Sequence, residues 1–173
     1  MWAVATRAPR PYDAGMGLLT PLAVRIGALP WLPRLLPQIS GLDRGLQRIS
    51  RGHVGVLDLA GLPNLMLTVT GRISGKPRST PLLYVRDGAH LLIAGSSFGA
   101  PRTPAWAHNL RDAETALVEK SGRRVRVRAQ ELTSRERDRA WSLMCHVWPN
   151  FALYEQRADR LIPVFRLTPV HTR

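Results

Sequence analysis

The stretch LTVTGRISGKPRSTPLLYV, residues 67–85, decides how this chain is read. Its glycines at 71 and 75, its Lys76 and its nearby hydroxyls suggest a phosphate-binding loop. A phosphate-transfer loop reads G-x-x-x-x-G-K-[ST] and runs from a strand into a helix. Here Gly71 and Gly75 stand one residue too close, and Lys76 is followed by Pro77. The residues beyond hold Thr80, Tyr84 and Val85, and Pro81 opposes a helix interior. The preceding NLMLTVT is apolar and rich in β-formers, so two strands around a Gly/Ser/Pro turn predict a β-hairpin.

Working outward, candidate strands cover 54–59, 64–70, 79–86, 90–95, 115–120, 123–131 and 162–168. Asp87-Gly88 marks a turn between two of them. GRRVRVRAQ alternates Arg and Val, the period of a sheet with one dry and one wet face. Helices are predicted at 103–113, at 133–147 with Thr133 or Ser134 as cap and Glu136 behind it, and at 150–159. Antiparallel strands with helices at the side predict an α+β domain built on a small barrel, which leaves few exposed edges. Residues 1–52 differ. They mix leucine, tryptophan and arginine, broken by Pro21, Pro30, Pro33 and Pro37, with a short helix plausible over 41–51. We therefore divide the chain into a basic, apolar leader, 1–52, and a barrel domain, 53–173.

The 173 residues suffice for one domain with a real core. Lys and Arg number 25 against 12 Asp and Glu, a net +13, and lysine occurs only at 76 and 120. That balance suits an anionic ligand or an acidic surface. The single cysteine, Cys145, excludes an internal disulfide framework. The uncharged run 14–24 is about half the length a membrane span needs. The expected location is the cytoplasm, with 1–52 a candidate for peripheral contact with acidic lipid at the inner face of the membrane.

Several patterns carry little chemistry. GSSFG, residues 95–99, matches G-x-S-x-G, but a nucleophile elbow must enter a helix and APRTP follows instead. The five histidines lack metal-ligand spacing, so no metal site is expected. Cys145 and His146 are adjacent and on a helix would point about 100° apart, a poor nucleophile–base pair. Nucleic acid binding is not expected, because the basic hairpin lacks interleaved aromatics.

The hairpin turn is more informative. Arg72, Lys76 and Arg78 surround glycines whose N–H groups would face outward, a concavity suited to anions, or else they are a solvated tip. A second Gly/Ser turn, AGSSFGAPRTP, lies downstream with Arg102 beside it, and two such turns on neighbouring strands would grip one long anion. Trp106 and Asn109 share a helix face. Trp148, Phe151 and Tyr154 recur every three residues, and either cap the core or wall a slot for a planar ring.

Together TGRISGKPRSTPLLYVRDG, AGSSFGAPRTPAWAHNL and WPNFALYEQRADRLIPVFRLTPV resemble, in order and spacing over about residues 62–170, the deazaflavin-dependent nitroreductase family of actinobacteria. The resemblance implies a split β-barrel of the FMN-binding-protein type that binds coenzyme F420, an 8-hydroxy-5-deazaflavin with a phosphate and an oligoglutamate tail. It implies that Arg72, Ser74 and Arg78 meet the phosphate and tail. Thr80, Pro81, Leu82 and Leu83 would follow the ring edge through their backbone. Ala94, Gly95, Ser96 and Ser97 would close over the ring and linker. Trp106 and Asn109 would border the site, Phe151 would touch the cofactor, and Trp148, Phe151 and Tyr154 would line the acceptor pocket. Ser96 or Tyr154 would donate a hydrogen bond or proton. The implied activity is hydride transfer from reduced F420 to a small electrophile such as a quinone, nitro compound or activated alkene. The alternatives are an FMN-dependent split-barrel oxidoreductase, or a non-catalytic deazaflavin carrier or membrane-surface protein. The sequence does not give the oligomeric state.

Overall fold

The computed structural model describes residues 63–170. The predicted strand at 54–59, the helix at 41–51 and the leader lie outside them. The described chain runs β1 (Asn64–Thr70), β2 (Pro77–Leu83), β3 (Val85–Asp87), β4 (His90–Ala94), α1 (Ala105–Ala113), β5 (Thr115–Lys120), β6 (Arg123–Glu131), α2 (Ser134–Val147), α3 (Asn150–Ala158) and β7 (Val164–Pro169).

One seven-stranded sheet holds these strands in the order β2-β1-β5-β6-β7-β4-β3, every pair antiparallel. The hairpin expected from the opening stretch is β1–β2, registered from Asn64↔Leu83 to Thr70↔Pro77. The strand expected at 79–86 is instead broken at Tyr84, whose N–H donates to Pro63 O at 3.2 Å. This break shapes the fold. β2 and β3 are separated by one residue yet stand at opposite ends of the strand order. A flat sheet would hold those ends several strand spacings of about 4.8 Å apart. The sheet therefore curls until β2 approaches β4, which makes the barrel.

The curl creates two cores from alternating side chains. Leu65, Leu67, Val69, Leu91, Ile93, Val118, Val127, Phe165 and Leu167 point inward and close around Trp106, Ala107 and Leu110 of α1. Leu92, Ala94 and Val164 point the other way and pack on Met144 of α2 and Phe151 and Tyr154 of α3. β4 is thus buried on both faces, which explains its unbroken LLIA run. Tight turns join the hairpins. Gly88, at φ +61°, turns β3 into β4, and Ser121 and Gly122, at φ +49° and +73°, turn β5 into β6. The arginines of β6 at 124, 126 and 128 face solvent while Val127 is buried, as the alternation required. One expected cap does not form. Thr133 precedes α2 but its hydroxyl makes no capping bond, and Glu136 instead accepts from Arg166 Nη1 at 3.1 Å.

Gly99 offers a test of how closely β4's exit packs on α3. A Cβ there would lie 2.9 Å from Arg157 Cβ and 3.0 Å from Tyr154 O, in a backbone already at φ +85°. At Gly88 the same atom meets open space. Gly99→Ala should cost about 2–4 kcal/mol in urea unfolding. Gly88→Ala should cost only about 1 kcal/mol. Equal costs would mean the turn is not pressed against the helix.

Candidate functional site

The β1–β2 turn is held from within. Gly71 N donates to Lys76 O at 2.9 Å and Gly75 N to Gly71 O at 2.8 Å. Lys76 N reaches Ser74 Oγ at 3.4 Å. Arg72 N donates across 37 residues to Asn109 Oδ1 at 3.1 Å. These four N–H groups are therefore engaged, which corrects the expectation of an outward backbone concavity. What the turn offers an anion is its side chains. Arg72, Lys76 and Arg78 are exposed, and none makes an ion pair among the described residues.

Register then sets direction. Arg78 pairs with Val69, Thr80 with Leu67 and Leu82 with Leu65, all inward residues of β1. Directly opposed residues share a face, so Arg78, Thr80 and Leu82 lie on the barrel-mouth side. Ser79 lies on the outer face, where its hydroxyl meets that of Thr68 at 2.8 Å. Among the described strands β2 lies at the edge of the sheet, with β1 as its one ladder partner. Along Thr80, Pro81, Leu82 and Leu83 the backbone groups of alternate residues face away from β1, and Pro81 has no N–H to give.

The second turn sits on the other side of α1. Gly95 N donates to Pro163 O at 2.9 Å, and a Cβ at Gly95 would stand 2.8 Å from Pro163 Cγ and 3.6 Å from Ala107 Cβ. Glycine here permits the close approach that buried Ala94 leads into. Ser97 and Phe98 follow with φ of +44° and +54° in a single 3-10 turn, Ser97–Gly99. Ser96 caps no helix through its hydroxyl and is half-buried, so the side chain remains open to a ligand. The two turns do not lie on hydrogen-bonded neighbours, as expected from sequence; they belong to opposite ends of the sheet that the curl brings together. Asn109 and Ala107 make α1 the strut between them.

Trp106 points into the barrel core against Phe165, ring centroids 5.8 Å apart. Trp148, Phe151 and Tyr154 line the second core, at 6%, 3% and 2% exposure. They pack there instead of forming an open wall. Phe98, half-buried, meets Tyr154 edge-on at 5.8 Å, and Phe151 meets it at 6.2 Å. Trp148 Nε1 and Tyr154 Oη are both buried and neither makes a well-formed hydrogen bond, though Trp148 and Asn150 lie close enough to the phenol oxygen to act on it. A buried polar group without a good hydrogen bond costs about 1–3 kcal/mol, which makes this pair the candidate polar contact of the second core. Burial pushes the Tyr154 phenol up, with the nearby Trp148, Asn150 and Arg157 acting the other way. The hydroxyl therefore keeps its proton at neutral pH and can both donate and accept a hydrogen bond. Burial, reinforced by Glu155, likewise raises the Cys145 thiol, which joins the rim of the same core.

Two features carried no sequence signal. Arg137 pairs with Glu155, whose Oε1 also accepts from Ile162 N at 3.1 Å, while the guanidinium lies 4.6 Å from the Trp141 ring. Arg160 turns back from the end of α3 to the carbonyls of the 95–102 turn. In sequence both look like solvated arginines. Among the described residues no helix is long and apolar enough to cross a membrane.

Comparison with known proteins agrees with this geometry. The family model described as F420H(2)-dependent quinone reductase matches residues 43–169. An F420H(2)-dependent quinone reductase of Mycobacterium tuberculosis strain H37Rv is 33% identical over 142 residues, covering 80% of this chain and 95% of that protein. Among solved structures, an F420-H2 dependent reductase, FDR-A, is 34% identical with TM-score 0.56, covering 61% of this chain and 93% of its own. A domain-swapped dimer is 29% identical with TM-score 0.58, covering 74% and 97%. The chain belongs to the F420H(2)-dependent quinone reductase family, and its fold is the split β-barrel.

Proposed function

We propose that this member of the family is an F420-dependent oxidoreductase that reduces a quinone-like acceptor, with the acidic end of the cofactor held at the β1–β2 turn. The observation that carries the reading is the barrel mouth. There Arg72 and Arg78 stand without carboxylate partners among the described residues, at the head of an edge strand whose Thr80 and Leu82 face inward. Guanidinium groups match phosphate and carboxylate oxygens in a planar fork, and charge-assisted bonds of this kind are the strong ones.

When bound, the reduced deazaflavin supplies a hydride. The residues of this chain do the rest. Arg72, Ser74 and Arg78 hold the phosphate and tail. The free edge of β2 offers backbone groups to the ring system. Ala94, Gly95, Ser96 and Ser97 form the opposite wall, and Asn109 fixes the turn that carries Arg72. Trp106 and Phe151 stiffen the two walls from the cores behind them. A dry site of fixed geometry lowers the entropic part of the barrier. A quinone that accepts a hydride must also accept one proton to become a hydroquinone. Half-buried Ser96, and Tyr154 with Trp148 beneath Phe98, are the side chains we propose as donors to its oxygens. Nitro compounds and activated alkenes belong to the same proposal as further acceptors of hydride.

Titration by cofactor fluorescence tests the anchor. Arg78→Ala should weaken F420 binding by about tenfold, the worth of a charge-assisted bond. Arg124, which pairs with Glu119 at 2.6 Å on the outer face, should change it less than about twofold when replaced by alanine. Equal effects, or preference for FMN, would contradict the assignment. Tyr154→Phe removes a buried hydroxyl whose polar neighbours are Trp148 and Asn150, so the unfolding free energy should change by no more than about 1 kcal/mol. Quinone reduction should nonetheless fall by about tenfold or more. Loss of stability with unchanged turnover would make the phenol structural.

A further inference from the structure

The Ser97–Phe98 turn adopts a conformation that its residues resist. Neither is glycine, and both sit in the left-handed region, at φ +44° and +54°. Such positions persist only where the surroundings impose them. Gly95 is tied to Pro163 at one end, and the short turn supplies Gly99 N→Ser96 O at 2.9 Å and Ala100 N→Ser97 O at 3.0 Å. Those bonds close the turn locally without fixing its far limb, 100–102.

Arg160 supplies that constraint. α3 ends at Asp159, itself left-handed at φ +49°, and this reverses the chain so that residue 160 faces the turn. Its guanidinium then gathers carbonyls from both limbs. Nη2 donates to Gly95 O at 3.1 Å, Ala100 O at 3.2 Å and Arg102 O at 3.3 Å, and Nε donates to Pro101 O at 3.2 Å. The remaining nitrogen, Nη1, reaches Leu161 O at 3.4 Å. Among the described residues no carboxylate bonds to it directly, and burial lowers its pKa against a smaller opposing influence of Glu155. A guanidinium drawn out of water is costly unless its N–H groups are satisfied, and here the carbonyls of the turn satisfy them. A lysine could not reproduce it, because one ammonium lacks a planar fork that spans two limbs of a turn.

We infer that Arg160 is a positioning residue for the cofactor-facing turn. It draws the two limbs together and so holds Ser96 and Ser97 in the orientation that closes the site opposite Arg78. The inference rests on the cofactor reading above for what the turn faces, and on geometry alone for the clamp itself.

Two readouts separate these parts. Hydrogen–deuterium exchange of the ligand-free protein reports the clamp. Arg160→Gln should raise amide exchange in residues 95–102 by about tenfold while β5 and β6 keep wild-type protection. Fluorescence titration reports the function: F420 affinity should fall by about fivefold, with the cofactor KM rising and the quinone KM unchanged. Arg160→Lys should fall between wild type and Arg160→Gln in both, and carries the same readouts should the glutamine variant not fold. Wild-type exchange in 95–102 would overturn the clamp. A loosened turn with unchanged F420 affinity would overturn the positioning role. A wild-type protein that does not bind F420 would sink the cofactor reading, while the exchange data would still decide the clamp.

Discussion

The fold depends on one short connection. Tyr84 alone joins β2 to β3, and those strands occupy opposite margins of a seven-stranded ladder. One residue spans at most about 3.6 Å, so the margins must meet and the sheet must curl. Closure gives α1 a cylinder to fill with Trp106, Ala107 and Leu110. It also turns the reverse faces of β4 and β7 outward, where α2 and α3 cover them. The candidate site lies along the seam that results, with an edge strand on one side and the exit of β4 on the other. Neither turn would face the other in an open sheet.

Charge is sorted across this frame more finely than a net of +13 suggests. Arg111 pairs with Glu131, Arg124 with Glu119, Arg137 with Glu155, Arg139 with Asp87 and Arg166 with Glu136. The exposed pairs contribute about 0–1 kcal/mol each, Arg137–Glu155 is partly buried, and several join neighbouring elements such as α2 to β3 and β7. Arg160 is spent on carbonyls. The cations at the β1–β2 turn have no such partner among the described residues, which supports the anchoring role proposed for them. An anionic handle there adds attraction without removing a structural ion pair.

Most of the architecture was legible because its periods are strong. The Arg/Val alternation of β6 and the apolar runs of β1 and β4 mark their own limits. Asn109 and Arg72 were both candidates, though nothing local links residues 37 apart; their bond follows from tertiary closure. The break at Tyr84 was hidden because each residue of 79–86 suits a strand, and only the change of partner ends it. The turn's glycines suggested free N–H groups, but a turn this tight consumes them internally. The aromatic triplet carried two readings that composition cannot separate. Burial favours packing for all three, and the acceptor reading rests on the poorly bonded polar atoms of Trp148 and Tyr154. Arg160 was invisible, since its role arises from the left-handed exit of α3 and not from its neighbours in sequence.

The central claim is that side-chain cations at the bend after Thr70 hold the acidic end of the deazaflavin and leave its ring between β2 and the 95–97 turn. A crystal structure of the chain with F420 tests it most directly. The account predicts phosphate or carboxylate oxygens within about 3 Å of the Arg72 and Arg78 guanidinium groups, with the ring system along Thr80–Leu83 and facing Ser96. Density for the cofactor elsewhere on the barrel, with that bend unengaged, would contradict it.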